Sequence, residues 1–316
     1  MNIVVLDGYT LNPGDLTWNE LKSLGNCTIY DRTQPSEIIT RAQHAEILLT
    51  NKTVLSQEII FQLPNVKYIG LLSTGINVVD IAAAKEKNIT VTNVPAYSTM
   101  SVAQLVFALL FELTNHIGHH SNEVKKGRWS SHNDFSFWDF PLIELSRKKF
   151  GIIGYGSIGK AVATIAVAFG MDVLVSTRSP KPSESSIRFV DKETIFKICD
   201  VISLHCALND DTKHLINVHT LSTMKASAFL INTGRGPLVD EQALADALNN
   251  SLLAGAGLDV LSTEPPSHHN PLLTAKNCII TPHVAWATTA ARQRLMDCVV
   301  ENIRCFNNNK PINVVS

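Results

Sequence analysis

Lys149-Phe150-Gly151-Ile152-Ile153-Gly154-Tyr155-Gly156-Ser157-Ile158-Gly159 couples a short apolar run to three spaced glycines, and an apolar stretch to Phe169 follows. Phe150 to Ile153 predicts a buried strand, and Ile158 to Phe169 predicts a helix stopped by Gly170. Asp172-Val173-Leu174-Val175-Ser176 then supplies a second strand and completes a strand–helix–strand unit around the glycines. In such a unit Gly154 allows the tight turn, Gly156 lets the backbone approach a pyrophosphate, and Gly159 lets the helix pack closely on the sheet. Ser157 and Ile158 open the helix, with their amides facing the anion. A bare glycine motif also fits an ordinary turn; the flanking elements point to a dinucleotide site.

An NAD site of this type usually places Asp or Glu about 20 residues past the loop, on the ribose hydroxyls. Here Ser176-Thr177-Arg178-Ser179 occupies that stretch without a carboxylate. Arg178, helped by the hydroxyls of Ser176, Thr177 and Ser179, suits a 2′-phosphate, because a guanidinium matches phosphate oxygens. The other reading of Arg178 is a solvated surface arginine. The expected cofactor is NAD(P), leaning to NADP(H).

Two series of alternating strands and helices run along the chain. The first has candidate strands at Ile3–Leu6, Cys27–Tyr30, Ile47–Thr50, Tyr68–Leu71 and Ile89–Thr92. The second starts at Phe150 and continues with Val173–Ser176, Val201–Leu204, Phe229–Asn232, Gly257–Val260 and Ile279–Thr281. Alternation of this kind predicts an α/β protein with two parallel, doubly wound sheets. Ser101 to Lys126 reads as one long helix, and Ala290 to Phe306 as another.

A chain of 316 residues suits two domains. Lys plus Arg number 27 against 28 Asp plus Glu, so no global field invites nucleic acid or an anionic membrane. No apolar run is long enough to span a bilayer, and Met1 to Asp7 looks like a first strand and not a signal peptide. A cytoplasmic location is the expectation. The six cysteines lack C-x-x-C spacing and read as reduced, packed thiols. No His, Cys and carboxylate spacing suggests a metal.

Three polar groups follow predicted strand ends in the second series: Arg235, Glu264 and His283. Reducing a 2-oxo acid puts a hydride on C2 while charge grows on the carbonyl oxygen, which needs a proton donor; histidine is suited to that. Glu264 would orient the ring and balance its charge. Arg235 would take the substrate carboxylate. Taken singly, each residue has a bland reading: a surface arginine in a turn, a solvated glutamate before Pro265-Pro266, a structural histidine after Pro282. Together with the glycine loop they predict a hydride-transferring dehydrogenase.

Further motifs stand in the same order: Leu72-Ser73-Thr74-Gly75-Ile76-Asn77-Val78-Val79-Asp80, Asn93-Val94-Pro95-Ala96-Tyr97-Ser98-Thr99, Ile231-Asn232-Thr233-Gly234-Arg235-Gly236, Leu258-Asp259-Val260, and Thr281-Pro282-His283-Val284-Ala285-Trp286. With the glycine loop they resemble the D-isomer-specific 2-hydroxyacid dehydrogenases over essentially the whole chain. Within that family the chain looks most like the glycerate dehydrogenase and hydroxypyruvate reductase branch. The resemblance implies a Rossmann NAD(P)-binding domain, residues 98–289, inserted into a smaller flavodoxin-like substrate domain, residues 1–97 and 290–316, with a cleft closed by hinge motion. It implies cofactor contacts at His205, Cys206, Ala207, Thr212, Thr233, Gly234, Arg235, Asp259, His283 and Ala285, beyond those of the glycine loop. It implies substrate contacts at Ser73, Thr74, Gly75, Arg235, His283 and Trp286. A homodimer is also implied, with Ser101 to Lys126 and the aromatics Trp129, Phe135, Phe137, Trp138 and Phe140 as contacts; those aromatics could instead line the subunit's own core.

The loop Ser73 to Asn77 carries no Lys or Arg, and no regulatory domain is added, which weighs against a phosphorylated substrate. Ala285-Trp286 resembles the branch that reduces hydroxypyruvate or glyoxylate to D-glycerate or glycolate. Another D-2-hydroxy acid is an alternative. So is a dinucleotide-sensing corepressor, a role some relatives of the fold have; the absence of long disordered tails favours the enzyme.

Overall fold

Short apolar runs bounded by polar turns form the strands, and the longer amphipathic stretches form helices that cover them. The computed structural model describes residues 1–179 and 186–316. The chain divides into two units, Met1–Ser98 with Ala287–Ser316, and Thr99–Trp286.

The first unit holds β1 (Asn2–Val5), β2 (Asn26–Ile29), β3 (Ile47–Thr50), β4 (Tyr68–Leu71) and β5 (Thr90–Thr92), all parallel in the order β2-β1-β3-β4-β5. That order is flavodoxin-like. β3 and β4 are buried at every residue, as middle strands covered on both faces are. The helix Thr289–Asn307, capped by Thr288, belongs to this unit and sets Phe306 against Tyr68, ring centroids 4.9 Å apart. Buried Arg292 on that helix makes a two-pronged pair with Asp15 at 2.7 and 2.6 Å. Val315 N donates to Val91 O at 2.8 Å, tying the C-terminal residues to β5.

The second unit holds β6 (Lys149–Ile153), β7 (Asp172–Ser176), β8 (Ile187–Phe189), β9 (Val201–Leu204), β10 (Phe229–Asn232), β11 (Gly255–Leu258) and β12 (Cys278–Ile280), in the order β12-β11-β10-β9-β6-β7-β8. The chain winds from β6 to β8 on one side, then restarts at β9 on the other. The carboxyl ends of β6 and β9 therefore flank a switch point, where open α/β sheets bind ligands. Alternate strand residues feed two cores: Leu174, Ile202 and Leu230 face one cluster, and Val173, Val201 and Ile231 the other.

Three local expectations need correction. The span from Ser101 to Lys126 is two helices, Thr99–Asn115 and Ile117–Lys125, bent by 58°. His116 between them sits at φ 48°, a left-handed conformation that cannot continue a right-handed helix. β11 begins at Gly255 and ends at Leu258, two residues earlier than read. β8 is an additional edge strand. No single described helix is long and apolar enough to cross a membrane.

Candidate active site

The three glycines after β6 have different reasons to be glycine. Gly154 sits at φ +100°, and a Cβ there would lie 2.5 Å from Cys206 N and from the His205 carbonyl carbon. A Cβ on Gly159 would lie 2.2 Å from Gly154 O. At Gly156, whose φ is an ordinary −77°, a Cβ would meet no described atom within 4 Å. Two of them thus serve the fold, and the third keeps clear a space that the described chain does not fill. Gly156 also caps the helix Ser157–Ala168 without any side-chain hydrogen bond, which leaves the first-turn amides of Ser157 and Ile158 open to an anion. These features fit a dinucleotide pyrophosphate.

The ends of β7 and β9 border this loop. Ser176 O accepts Gly154 N at 2.8 Å, and Ser176 and Thr177 are half-buried. Arg178 is exposed and pairs with no carboxylate among the described residues. His205 N donates to Ile153 O at 2.7 Å, which ties β9 to β6 at the crevice. The His205 ring turns onto Ser203 Oγ at 2.9 Å, and burial pushes its pKa down to about 4. Burial likewise raises the Cys206 thiol. Thr212 Oγ1 donates to Ala207 O at 2.7 Å and accepts Asn209 N at 2.8 Å, so its hydroxyl braces the turn after Cys206.

β10, β11 and β12 carry the polar trio on adjacent carboxyl ends. Buried Asn232 braces the loop after β10 by accepting Gly234 N at 3.0 Å and donating to Arg235 O at 2.9 Å. Thr233 is 8 % exposed, and its Oγ1 is buried without a hydrogen-bond partner among the described residues. Arg235 is exposed and its Nη1 donates to Gly234 O at 2.8 Å.

His283 Nδ1 lies 2.6 Å from Glu264 Oε2, while Glu264 Oε1 accepts Leu261 N at 3.1 Å. Both side chains are about one-third exposed, at 31 % and 35 %. The His283 backbone is left-handed at φ 53°, and Asp259 over-determines that bend. Its carboxylate accepts Thr281 Oγ1 at 2.6 Å, Val284 N at 2.9 Å and Ala285 N at 2.8 Å, and its carbonyl accepts His283 N at 2.8 Å. Burial raises the Asp259 carboxyl above its ordinary range. Ser101 Oγ adds a bond to Ala285 O at 2.5 Å.

His283 and Glu264 are therefore in direct contact, whereas Arg235 is turned onto its own loop. Half-buried Trp286 ends this unit. The anchoring by Asp259 and Ser101 is not readable from the motifs, because it joins residues 26 and 184 positions apart.

In the first unit, Ser73, Thr74 and Gly75 follow β4. Ser73 Oγ donates to Gly75 O and Thr74 Oγ1 to Val94 O, both at 2.7 Å. Asn93 Nδ2 donates to Thr74 O at 2.8 Å, and Val94 N to Ser73 O at 3.0 Å. The amides of Thr74 and Gly75 make no hydrogen bond among the described residues. All six cysteines are free thiols, and no group of three His, Cys, Asp or Glu gathers as a metal site among the described residues.

Residues 107–285 match the profile of the D-isomer specific 2-hydroxyacid dehydrogenase NAD binding domain. The chain belongs to the D-isomer specific 2-hydroxyacid dehydrogenase family. This dehydrogenase is 49% identical over 321 residues to a hydroxypyruvate reductase of Blautia hydrogenotrophica, with 100% of both chains covered. It is 42% identical over 316 residues to a glycerate dehydrogenase of Methylorubrum extorquens, covering 99% of this chain and 98% of the relative. Its structure is similar to that of an acyclic imino acid reductase in complex with NADPH and D-Arg, with a TM-score of 0.87, 34% identity and 100% of both chains covered. The dehydrogenase carries out NAD(P)-linked 2-oxo acid reduction, and the corepressor alternative is disfavoured.

Proposed function

We propose that the enzyme reduces hydroxypyruvate and glyoxylate to D-glycerate and glycolate, prefers NADPH, and works as a homodimer. The observation that carries the chemistry is the 2.6 Å contact between His283 Nδ1 and Glu264, on the sheet edge that also bears the glycine loop. The names of the two similar enzymes, a hydroxypyruvate reductase and a glycerate dehydrogenase, support the choice of acid.

A bound reduced nicotinamide supplies the hydride to C2. Nδ1 of His283 donates to Glu264, which fixes the ring and leaves Nε2 to protonate the carbonyl oxygen as charge grows on it. Arg235 leaves the Gly234 carbonyl to take the substrate carboxylate, a stronger, charge-assisted acceptor. Trp286, in the same unit, is assigned to the substrate's surroundings; in the other unit the amides of Thr74 and Gly75, with Ser73 beside them, suit a carboxylate. In the oxidation direction Nε2 takes the proton back. In this assignment Thr99–Trp286 is the dinucleotide-binding unit and the other unit binds substrate.

Gly156, Ser157 and Ile158 hold the pyrophosphate, in a loop whose shape Gly154 and Gly159 set. Ser176, Thr177 and Arg178 hold the 2′-phosphate, and the missing carboxylate at that strand end supports NADPH. His205, Cys206, Ala207 and Thr212 shape the adenine side. Thr233, Gly234, Asp259 and Ala285 shape the nicotinamide side, where a carboxamide would give the Thr233 hydroxyl a partner. Trp129, Phe135 and Trp138 are 52%, 90% and 64% exposed, which takes them out of their own unit's core and supports their use against a second subunit.

Turnover with a panel of 2-oxo acids and both reduced cofactors tests this reading, alongside sedimentation to count subunits. Hydroxypyruvate or glyoxylate with NADPH should give the highest kcat/KM. A strong NADH preference would remove the role given to Arg178, and no turnover with any acid would remove the mechanism.

A further inference from the structure

The carboxyl edge of the first unit's sheet sets β1, β3 and β4 side by side. Asp7, just past β1, accepts the amides of Asn51, Lys52 and Thr53 at 2.8, 2.6 and 2.7 Å and Thr53 Oγ1 at 3.0 Å. One carboxylate thereby fixes the whole turn after β3. Buried Asn51 adds a bond to Thr10 Oγ1 at 3.1 Å. Thr50 O accepts Leu72 N at 2.8 Å, so this turn stands beside Ser73-Thr74-Gly75. On it Lys52 is exposed and pairs with no carboxylate among the described residues.

The two flanks of the Ser73–Gly75 loop differ. Toward β5 it is closed by the bonds that Asn93 and Val94 make with Ser73 and Thr74. Toward β3 stands the Lys52 turn. Neighbouring strands lie about 4.8 Å apart, within the span of a lysine side chain. The β3 flank is tied at its two ends, by Leu72 N to Thr50 O and by the backbone bonds of Leu55 with Val78 and Asp80, while Ser73 to Gly75 make no bond to the Lys52 turn among the described residues. An acid whose carboxylate is held by the loop amides has room for its C3 group on that side.

We infer that Lys52 is a specificity-determining residue, its ammonium donating to a hydrogen-bond acceptor on C3 of the oxo acid. The substrate class it selects is 2-oxo acids with a C3 hydroxyl over those with an alkyl C3. This rests on the 2-oxo acid reading above. It also supplies the cation that the loop Ser73 to Asn77 lacks in its own sequence.

Hydroxypyruvate and 2-oxobutyrate provide the test, since they differ by hydroxyl against methyl at nearly equal size. Lys52→Met should lower the ratio of their kcat/KM values by about tenfold or more. The change should lie in KM for hydroxypyruvate more than in kcat, with the melting temperature held because the side chain is exposed. Lys52→Arg should recover part of the ratio. An unchanged ratio in Lys52→Met overturns the inference and leaves the dehydrogenase reading standing. A Lys52→Arg ratio no better than that of Lys52→Met assigns the effect to the stem and not the charge, and overturns it too. A parent enzyme that turns over neither acid overturns both readings.

Discussion

Gly156→Ala separates what the glycine loop does for the fold from what it does for a ligand. At φ −77° and ψ −164° alanine is not strained, and its methyl meets no described atom within 4 Å. Losing glycine at a helix N-cap costs about 0.5–1 kcal/mol. Restricting the unfolded chain returns about 0.4–1 kcal/mol, so the net change in stability is close to zero. A pyrophosphate oxygen bonded to this backbone at about 2.9 Å would collide with the methyl. Losing one charge-assisted hydrogen bond, about 1.5–3 kcal/mol, weakens binding roughly 10- to 150-fold. Gly154→Ala is the contrast: its methyl would stand 2.5 Å from backbone at φ +100°. There the left-handed penalty and the overlap together cost about 2–5 kcal/mol. Melting curves of the unliganded variants and calorimetric titration with NADPH read both quantities. Gly156→Ala binding NADPH as tightly as the parent, or melting as low as Gly154→Ala, refutes the reasoning.

His283→Asn, chosen because asparagine tolerates the left-handed backbone, should lower kcat by about 10²–10⁴ with the fold intact; near-normal turnover would exclude His283 as the proton donor. Arg178→Ala should shift the NADPH-to-NADH ratio of kcat/KM about tenfold toward NADH, and an unmoved ratio returns Arg178 to the solvent. The His205 ring titrates near 4 in the fold against 6.5 ordinarily, so between these values the unfolded chain binds more protons. Stability therefore rises with pH across that window, and the melting temperature should fall on acidification from about pH 7 to 5; His205→Gln should flatten this slope, and equal slopes would refute the cause. Thr233→Val removes an unpartnered buried hydroxyl without changing shape, so the unliganded protein should melt at or above the parent temperature, whereas a loss of about 1 kcal/mol or more would reveal a hydrogen bond there.

Both sheets are legible in the sequence because middle strands of parallel sheets, buried on both faces, are near-continuous apolar runs. The glycine loop is legible for a related reason, since its steric demands are local to strand and turn. β11 is harder. Gly255 falls outside the strand that the sequence starts at Gly257, yet both glycines lie under the helix Thr99–Asn115, where Cβ atoms would come within 2.9 Å of Leu113 and Leu109. That close approach is a tertiary fact with no local signature. The same holds for the break at His116, for the unpartnered hydroxyl of Thr233, and for Lys52, which sheet order alone brings beside Ser73. The motifs mark Glu264 and His283, but only the fold shows the Asp259 carboxylate bending the histidine's loop.

The split composition of the first unit constrains how the chain is made. Its sheet emerges early, but the helix that covers Tyr68 and the residues that pair with β5 arrive only after the whole inserted unit. At about 5–20 residues per second, roughly two hundred intervening residues mean a wait on the order of ten to forty seconds. During that interval an apolar face destined for Phe306 stands uncovered on the ribosome. The contiguous middle unit has no such debt and is placed to close first, so the segment born earliest is the one completed last.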